Sequence, residues 1–454
     1  MSGPSKADPR AATAFGRQAL DWLVARLGGG FFAAALVLPA VVTAGVAIDS
    51  RFSTVAAVAA GVGALVRPRW ALPALAVVFL LRGINWGVAD PLDNLPYYAV
   101  ILSVAASRLR WPVWAGARVH FLLMAFVAGA FWSGVLGPMP DLSLPRLVLF
   151  VIGLAAMSAT YRGVGDSEDV IWWLTCFTVG VSLASIPLMF TPTGSVVNGD
   201  FQGISGQPQL MGILLAPGLA VLIIRWFDQR DRLLLPFIAL LAVQIALSAA
   251  RIAVIAVVAG LVVVFLLGTS KRLGRPPPFL VRGVLAAFLA AAFLVAFVQG
   301  VPGIGRGGVA DILLKDRPNV SLAGQLITSR GPNIESSVEN WLSSPILGLG
   351  MGLPAAEIDT VPLPGLEISF PITREKGFGL TGVLEETGVV GLLLLGATLG
   401  VAVLATREVP FVMAGVATAI AVNIAEVVVF SFGLGGLWIW LFVYGGFSQV
   451  GHSP

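Results

Sequence analysis

Histidine, cysteine and charge are scarce in this sequence. Two histidines, His120 and His452, and one cysteine, Cys176, make no ligand cluster, so no bound metal is expected. Neither histidine has a partner in sequence, and both read as structural or tail residues. A lone cysteine forms no intrachain disulfide, and Cys176 lies in an apolar run where a thiol is inert. Charged residues make up 11% of the chain, against about 25% in soluble domains, which excludes an ordinary soluble enzyme. There is no P-loop and no nucleophile elbow, so no nucleotide cofactor is expected. The net charge of +4 does not point to nucleic acid, because the basic residues have a topological explanation first.

What is abundant is apolar length. Of 454 residues, 57% are hydrophobic, and runs able to cross a bilayer of about 30 Å recur along the whole chain. The runs lie near 31–48, 52–66, 70–82, 97–107, 119–136, 147–160, 168–190, 208–224, 233–249, 252–268, 279–299, 379–405, 409–428 and 431–447. They predict an all-α polytopic integral membrane protein with about 12–14 transmembrane helices, the range allowing for short runs that are half-spans. Residues 1–28 are polar and basic, with no signal-peptide pattern, and read as a cytoplasmic tail. A transmembrane bundle over 29–299, a loop over 300–378, closing spans over 379–448 and a short cytoplasmic tail over 449–454 complete the organisation.

Basic residues set the orientation. With the N-terminus inside, the inner segments collect 18 of the 28 lysines and arginines. The outer turns hold only Arg51, Arg82, Arg146 and Arg251, and six more basic residues fall in the long loop. Both termini are therefore expected in the cytoplasm and the loop outside. Within that loop, Ile334, Val338, Trp341 and Leu342 share one helical face, and Ser336-x-x-Glu339 reads as a capping box. Pro345 and the glycines Gly348, Gly350 and Gly352 stop this helix, which is expected to lie along the outer membrane surface.

Several polar residues stand where apolar ones are expected. Arg251 interrupts the run 233–268, and an intramembrane ionisable residue suggests function, against the plainer reading of a side chain snorkelling at a turn. Arg330 opens the loop helix and alone is an ordinary loop arginine. Together the two guanidinium groups are suited to bidentate binding of a pyrophosphate. Gln207 and Gln209 can hydrogen-bond a sugar at the mouth of a span, or can simply mark the interface; Asp200 is a weaker candidate.

The stretch 373-TREKGFGLTGVLEETGVVGLLLLG-396 concentrates charge beside a span. Glu385 and Glu386 fall in the first turns of that span, where the helix dipole favours carboxylates and a capping role is sufficient. Glu375, between Arg374 and Lys376, would stay ionised at a water-accessible mouth, as a general base for a hydroxyl nucleophile must.

Four segments, in order, resemble the O-antigen ligase and O-antigen polymerase superfamily of bacterial inner-membrane glycosyltransferases. They are GISGQPQLMG (203–212), SAARIAVIA (248–256), TSRGPNIESSVENWLSSPILGLGMG (328–352) and VLEETGVVG (383–391). The well-matched part covers about 200–400, and the N-terminal spans match only as hydrophobic segments. The resemblance implies a GT-C-like fold with one large periplasmic loop. It also implies transfer of a glycan from an undecaprenyl pyrophosphate carrier to an acceptor hydroxyl at the periplasmic face, without metal or nucleotide sugar. Arg251 and Arg330 would hold the leaving pyrophosphate. Glu386 would fix the start of the span, and Arg374 and Lys376 would steer the anionic carrier.

The sequence departs from the ligases at one point. Nine residues before Glu386, where a His-Asn pair is usual, stand Gly377 and Phe378. Glu375 is then the candidate base. The acceptor is open among a growing polymer, lipid A core and a protein hydroxyl, with exopolysaccharide or O-antigen polymerisation preferred. Membrane lipid and polysaccharide-assembly proteins are the further expected partners. The rival readings are a multi-span transporter and a non-catalytic component of a polysaccharide export machine.

Overall fold

Glycines, prolines and charges divide the apolar sequence into short helices, and the boundaries fall where those residues cluster. The computed structural model describes residues 29–49, 51–84, 95–107, 117–164, 166–191, 194–195, 200–268, 322–352, 360–362, 369–371, 379–425, 430 and 434–450. Among the described residues the first seven α-helices are α1 (Gly30–Ile48), α2 (Phe52–Val66), α3 (Ala71–Ile84), α4 (Leu95–Ala106), α5 (Ala117–Leu136), α6 (Pro140–Val164) and α7 (Ser167–Ser185). After them come α8 (Pro208–Gln229), α9 (Leu235–Leu247), α10 (Arg251–Leu267), α11 (Leu322–Ser343), α12 (Gly379–Ala405), α13 (Pro410–Ala425) and α14 (Leu434–Val450). Thirteen of these match apolar runs read from the sequence, and α11 matches the loop helix; the run 279–299 lies outside the described residues.

Five helical stretches among the described residues are long and apolar enough to cross a membrane, and seven shorter apolar helices accompany them. The chain is a helical membrane protein. Among the described residues the strands are a small antiparallel pair in the long loop, Thr360–Pro362 with Ser369–Pro371, in the register Thr360 to Pro371, beside an isolated bridge between Ser195 and Phe201.

Inside a bilayer, helices gain little from burying apolar surface against one another and are held by close packing and small residues. Aromatic rings supply one part of that packing here. Trp438 of α14 lies 5.1 Å from Phe79 of α3 and 5.5 Å from Phe177 of α7, and its indole N–H donates to the Leu214 carbonyl of α8. Trp173 stacks on Phe177 and donates to the Phe31 carbonyl, fixing α1 on α7. Near the end of α8, Arg225 lies 3.8 Å above the Trp172 ring and 5.2 Å from that of Phe411, which ties α7, α8 and α13.

Small residues supply the other part. Helix α10 rests on α13 at Gly260, where a Cβ would run into the Thr418 hydroxyl and backbone. Gly260→Val is expected to wedge this seam and lower stability by about 1–3 kcal/mol, as overpacking does. Thermal unfolding of the purified protein in detergent checks it, with an unchanged midpoint as the contrary result.

Two corrections to the sequence reading bear on the site. Helix α6 begins at Pro140, so Arg146 stands two turns inside a 25-residue helix and not in an outer turn. Helix α11 begins at Leu322, so Ser336 and Glu339 are interior residues and not a capping box, and Arg330 lies inside the helix instead of opening it. Periodic apolar residues after Ile334 concealed the earlier start, because 331-GP-332 reads as a helix boundary. The stop is where it was expected, at Ser343.

Candidate functional site at a helix break

Helix α12 is discontinuous. Gly388 has φ 64° and ψ −169°, a backbone conformation open essentially to glycine alone, and it separates a first half ending at Thr387 from a second half starting at Val389. A broken helix in apolar surroundings leaves carbonyls of the first half and N–H groups of the second without helical partners, which is tolerated only where protein or water meets them.

The loop after α11 meets them. Leu349 N donates to the Glu385 carbonyl (2.8 Å) and Gly350 N to that of Glu386 (3.0 Å). In the reverse direction Val389 N donates to the Pro345 carbonyl (3.0 Å) and Val390 N to that of Ile346 (3.2 Å). Four backbone bonds therefore replace those that the break removes. The approach needs glycine on both sides: a Cβ on Gly348 (φ 75°) would meet the backbone of Glu386, Thr387 and Gly388. The series Gly348, Gly350 and Gly352, expected only to stop the loop helix, is thus also a docking element.

A third segment cradles the loop from the turn between α5 and α6. The Ser133 hydroxyl donates to the Glu386 carbonyl (2.7 Å). A Cβ on Gly137 would strike the Leu349 carbonyl, and one on Gly350 would strike the Ser143 hydroxyl. Arg146 Nη1 donates to the Gly352 carbonyl, and the guanidinium lies within electrostatic reach of Glu386 and Tyr98. Of these residues, Ser133, Gly137 and Ser143 were not singled out from the sequence, and Arg146 was counted only as an outer-turn arginine. The available signals were an arginine on the arginine-poor outer side and the small residues of 133-SGVLG-137.

Both carboxylates are buried, Glu385 completely and Glu386 to within 3%. Glu385 Oε1 accepts from the Asn340 side-chain amide of α11 at 2.9 Å. The expectation that these residues cap the start of the span is corrected. They close the first half-helix, whose C-terminal dipole end is unfavourable for an anion, and immediately precede the second half, whose N-terminal end favours one.

The other two quoted segments meet elsewhere in the bundle. Ala249 takes a positive φ of 49° and turns the chain from α9 into α10, so that Arg251 becomes the first, partly exposed residue of α10. Gly212 of α8 abuts this turn: a Cβ there would run into Ala250. Gln207 stands at the N-cap of α8 and Gln209 in its first turn, both partly exposed. In α9, Gln244 is fully buried; its side chain accepts from the Ser182 hydroxyl (2.7 Å) and donates to the Ser182 carbonyl (2.9 Å). Segment 203–212 is thereby packed on 248–256, and segment 345–352 on 383–391. Helix α10 rests mainly on α8 and α13, and α12 on α5, α11, α13 and α14, so the two pairs share α13 as a neighbour.

The backbone of Arg330 belongs to α11, the helix that packs on α12. Arg374, Glu375 and Lys376 lie outside the described residues. Asp200 is partly exposed, just before the bridge between Ser195 and Phe201. Among the described residues no group of three or more histidine, cysteine or acidic side chains could hold a metal ion. No protein-family profile matches the chain, and no curated protein is significantly similar to it.

Proposed function

We propose that this protein is a metal-independent glycosyltransferase of the bacterial inner membrane, with its long loop in the periplasm and a GT-C-like bundle. It transfers or polymerises glycan from an undecaprenyl pyrophosphate carrier. The observation that supports the reading best is the pairwise docking of the four segments that carry the resemblance. Segments 328–352 and 383–391 are joined by four backbone hydrogen bonds, and segments 203–212 and 248–256 meet at a Gly212 contact too close for any side chain. Residues scattered over nearly two hundred positions thus meet at two places in the bundle.

In this mechanism the acceptor hydroxyl attacks the anomeric carbon and gives its proton to Glu375. The bond from that carbon to the pyrophosphate oxygen breaks, and its electron pair leaves with the pyrophosphate. Arg251 and Arg330 hold the departing charge, a stabilisation worth most where water is excluded. Arg374 and Lys376 draw in the anionic carrier, Gln207 and Gln209 hydrogen-bond the sugar, and Glu386 holds the docked loop at the break in α12. The acceptor is a saccharide, lipid A core or a protein hydroxyl.

The test is the size of carrier-linked glycan in cells carrying Arg330→Ala or Arg251→Ala. Loss of polymer with accumulation of single carrier-linked repeat units is expected for a polymerase, and accumulation of long carrier-linked chains for a ligase. Normal surface glycan in both variants would sink the pyrophosphate assignment, and normal polymer in Glu375→Gln would remove the base.

One observation favours a second reading, transport of a lipid-linked sugar. Gly388 is the tenth residue of α12, roughly 13 Å along its axis at 1.5 Å per residue, and transporters place their sites at such breaks near the midplane. Movement of a fluorescent carrier-linked saccharide across vesicles holding the purified protein, without any glycan transfer, would establish it over the enzyme.

A further inference from the structure

We infer that Arg146 is a positioning residue of the candidate site, one that clamps the loop 345–352 onto the break in α12. The inference rests on the glycosyltransferase reading only for what the clamp serves, since the clamp itself follows from geometry.

An arginine two turns inside an apolar helix is costly unless it is partnered, and an intramembrane ionisable residue marks function by default. Here the partners are specific. Nη1 donates to the Gly352 carbonyl, at the point where the chain leaves the docked loop, and the Glu386 carboxylate and Tyr98 lie within electrostatic reach. Gly352 has φ 76°, and a Cβ on it would collide with the guanidinium, so the carbonyl and the arginine fit only with glycine there.

The rest of the cradle leads to the same point. Ser133 bonds the Glu386 carbonyl, and Gly137 admits the Leu349 carbonyl. Ser143, one turn before Arg146, is buried beneath Gly350. Backbone bonds register the loop against α12, but they are neutral. Arg146 adds the charged contact that joins α6, the loop end and Glu386. Gly352 is followed in the sequence, twenty-three residues on, by Glu375, the base of the proposed mechanism.

Ser143 offers a readout of the clamp that does not depend on glycan transfer. In a chain with Cys176→Ala and Ser143→Cys, the single thiol is covered by the loop, and a membrane-impermeant maleimide reaches it only when the loop lifts. Arg146→Ala is expected to raise the labelling rate roughly tenfold, the change that loss of one charge-assisted hydrogen bond produces. Arg146→Lys, which keeps the charge without the guanidinium fork, is expected to restore most of the protection. A monodisperse peak in detergent establishes that each variant is folded. The same variants are scored for carrier-linked glycan, where Arg146→Ala should lower turnover with little change in donor affinity. An unchanged labelling rate in folded Arg146→Ala would overturn the clamp, whatever the glycan result. Raised labelling with normal turnover would leave a clamp that positions nothing and would equally overturn the inference. Failure of the transferase reading is distinguished by Arg251→Ala and Arg330→Ala, which lie outside the cradle and would then be silent in glycan while the labelling response to Arg146→Ala persists.

Discussion

Gly388→Ala should be severely damaging, although it adds only one methyl group. Its φ of 64° with ψ of −169° is a region that L-residues avoid, which costs about 1–3 kcal/mol by itself. The added Cβ would also be driven against the Ile346 carbonyl, and relieving that contact pulls the loop off the break. Val389 and Val390 then lose their acceptors, and the Glu385 and Glu386 carbonyls lose their donors, in surroundings where each unmet group costs about 1–3 kcal/mol. The expected result is loss of a monodisperse species in detergent, or a steep fall in its unfolding midpoint. Gly396→Ala is the matched control. It lies in the same helix with open space around it, and an alanine there is expected to be neutral or to stabilise by about 0.5–1 kcal/mol. Equal midpoints for the two variants would mean that α12 is not broken at Gly388.

Glu385 separates charge from packing. Truncation to alanine leaves the Asn340 amide without its acceptor and opens a void in a fully buried position, so Glu385→Ala should cost about 2–4 kcal/mol. Glu385→Gln keeps the shape and an acceptor for Asn340, so its midpoint is expected to stay within about 1 kcal/mol of the parent. The pair is measured by thermal unfolding beside carrier-linked glycan sizing. A stable Glu385→Gln protein that accumulates the donor would show that the negative charge at the break is used, whereas normal glycan would confine Glu385 to packing. Equal destabilisation by both substitutions would contradict the contact with Asn340.

The helices were legible because apolar runs and their glycine, proline and charge boundaries are local signals. The start of α13 at Pro410 and the stop of α11 before Pro345 follow such punctuation closely. What was not legible is the break in α12. Nothing in 383-VLEETGVVG-391 alone distinguishes a continuous helix from one opened by a partner, because the loop that supplies the alternative hydrogen bonds begins some forty residues earlier. The carboxylates were therefore assigned to the wrong end of a helix dipole. Arg146 was missed for a related reason. Its partner is a backbone carbonyl 206 residues away, and a carbonyl leaves no mark on a sequence pattern. Arg251 was legible as an anomaly because it interrupts an apolar run that would otherwise be unbroken.

The docked loop also bears on how the chain is inserted. Unbroken, the 27 residues of α12 would form a rod of roughly 40 Å, against a hydrocarbon thickness of about 30 Å. Such a rod must tilt, or thicken the lipid around it, at a cost for each ångström of mismatch. Residues 345–350 are synthesised before α12, so the partner that divides the rod precedes it through the insertion machinery. Division at Gly388 leaves a second segment, 389–405, of about 26 Å, which fits within the hydrocarbon thickness upright, while the first half is packed against protein. The glycine loop is therefore also a device for fitting an overlong hydrophobic segment into a membrane of fixed depth.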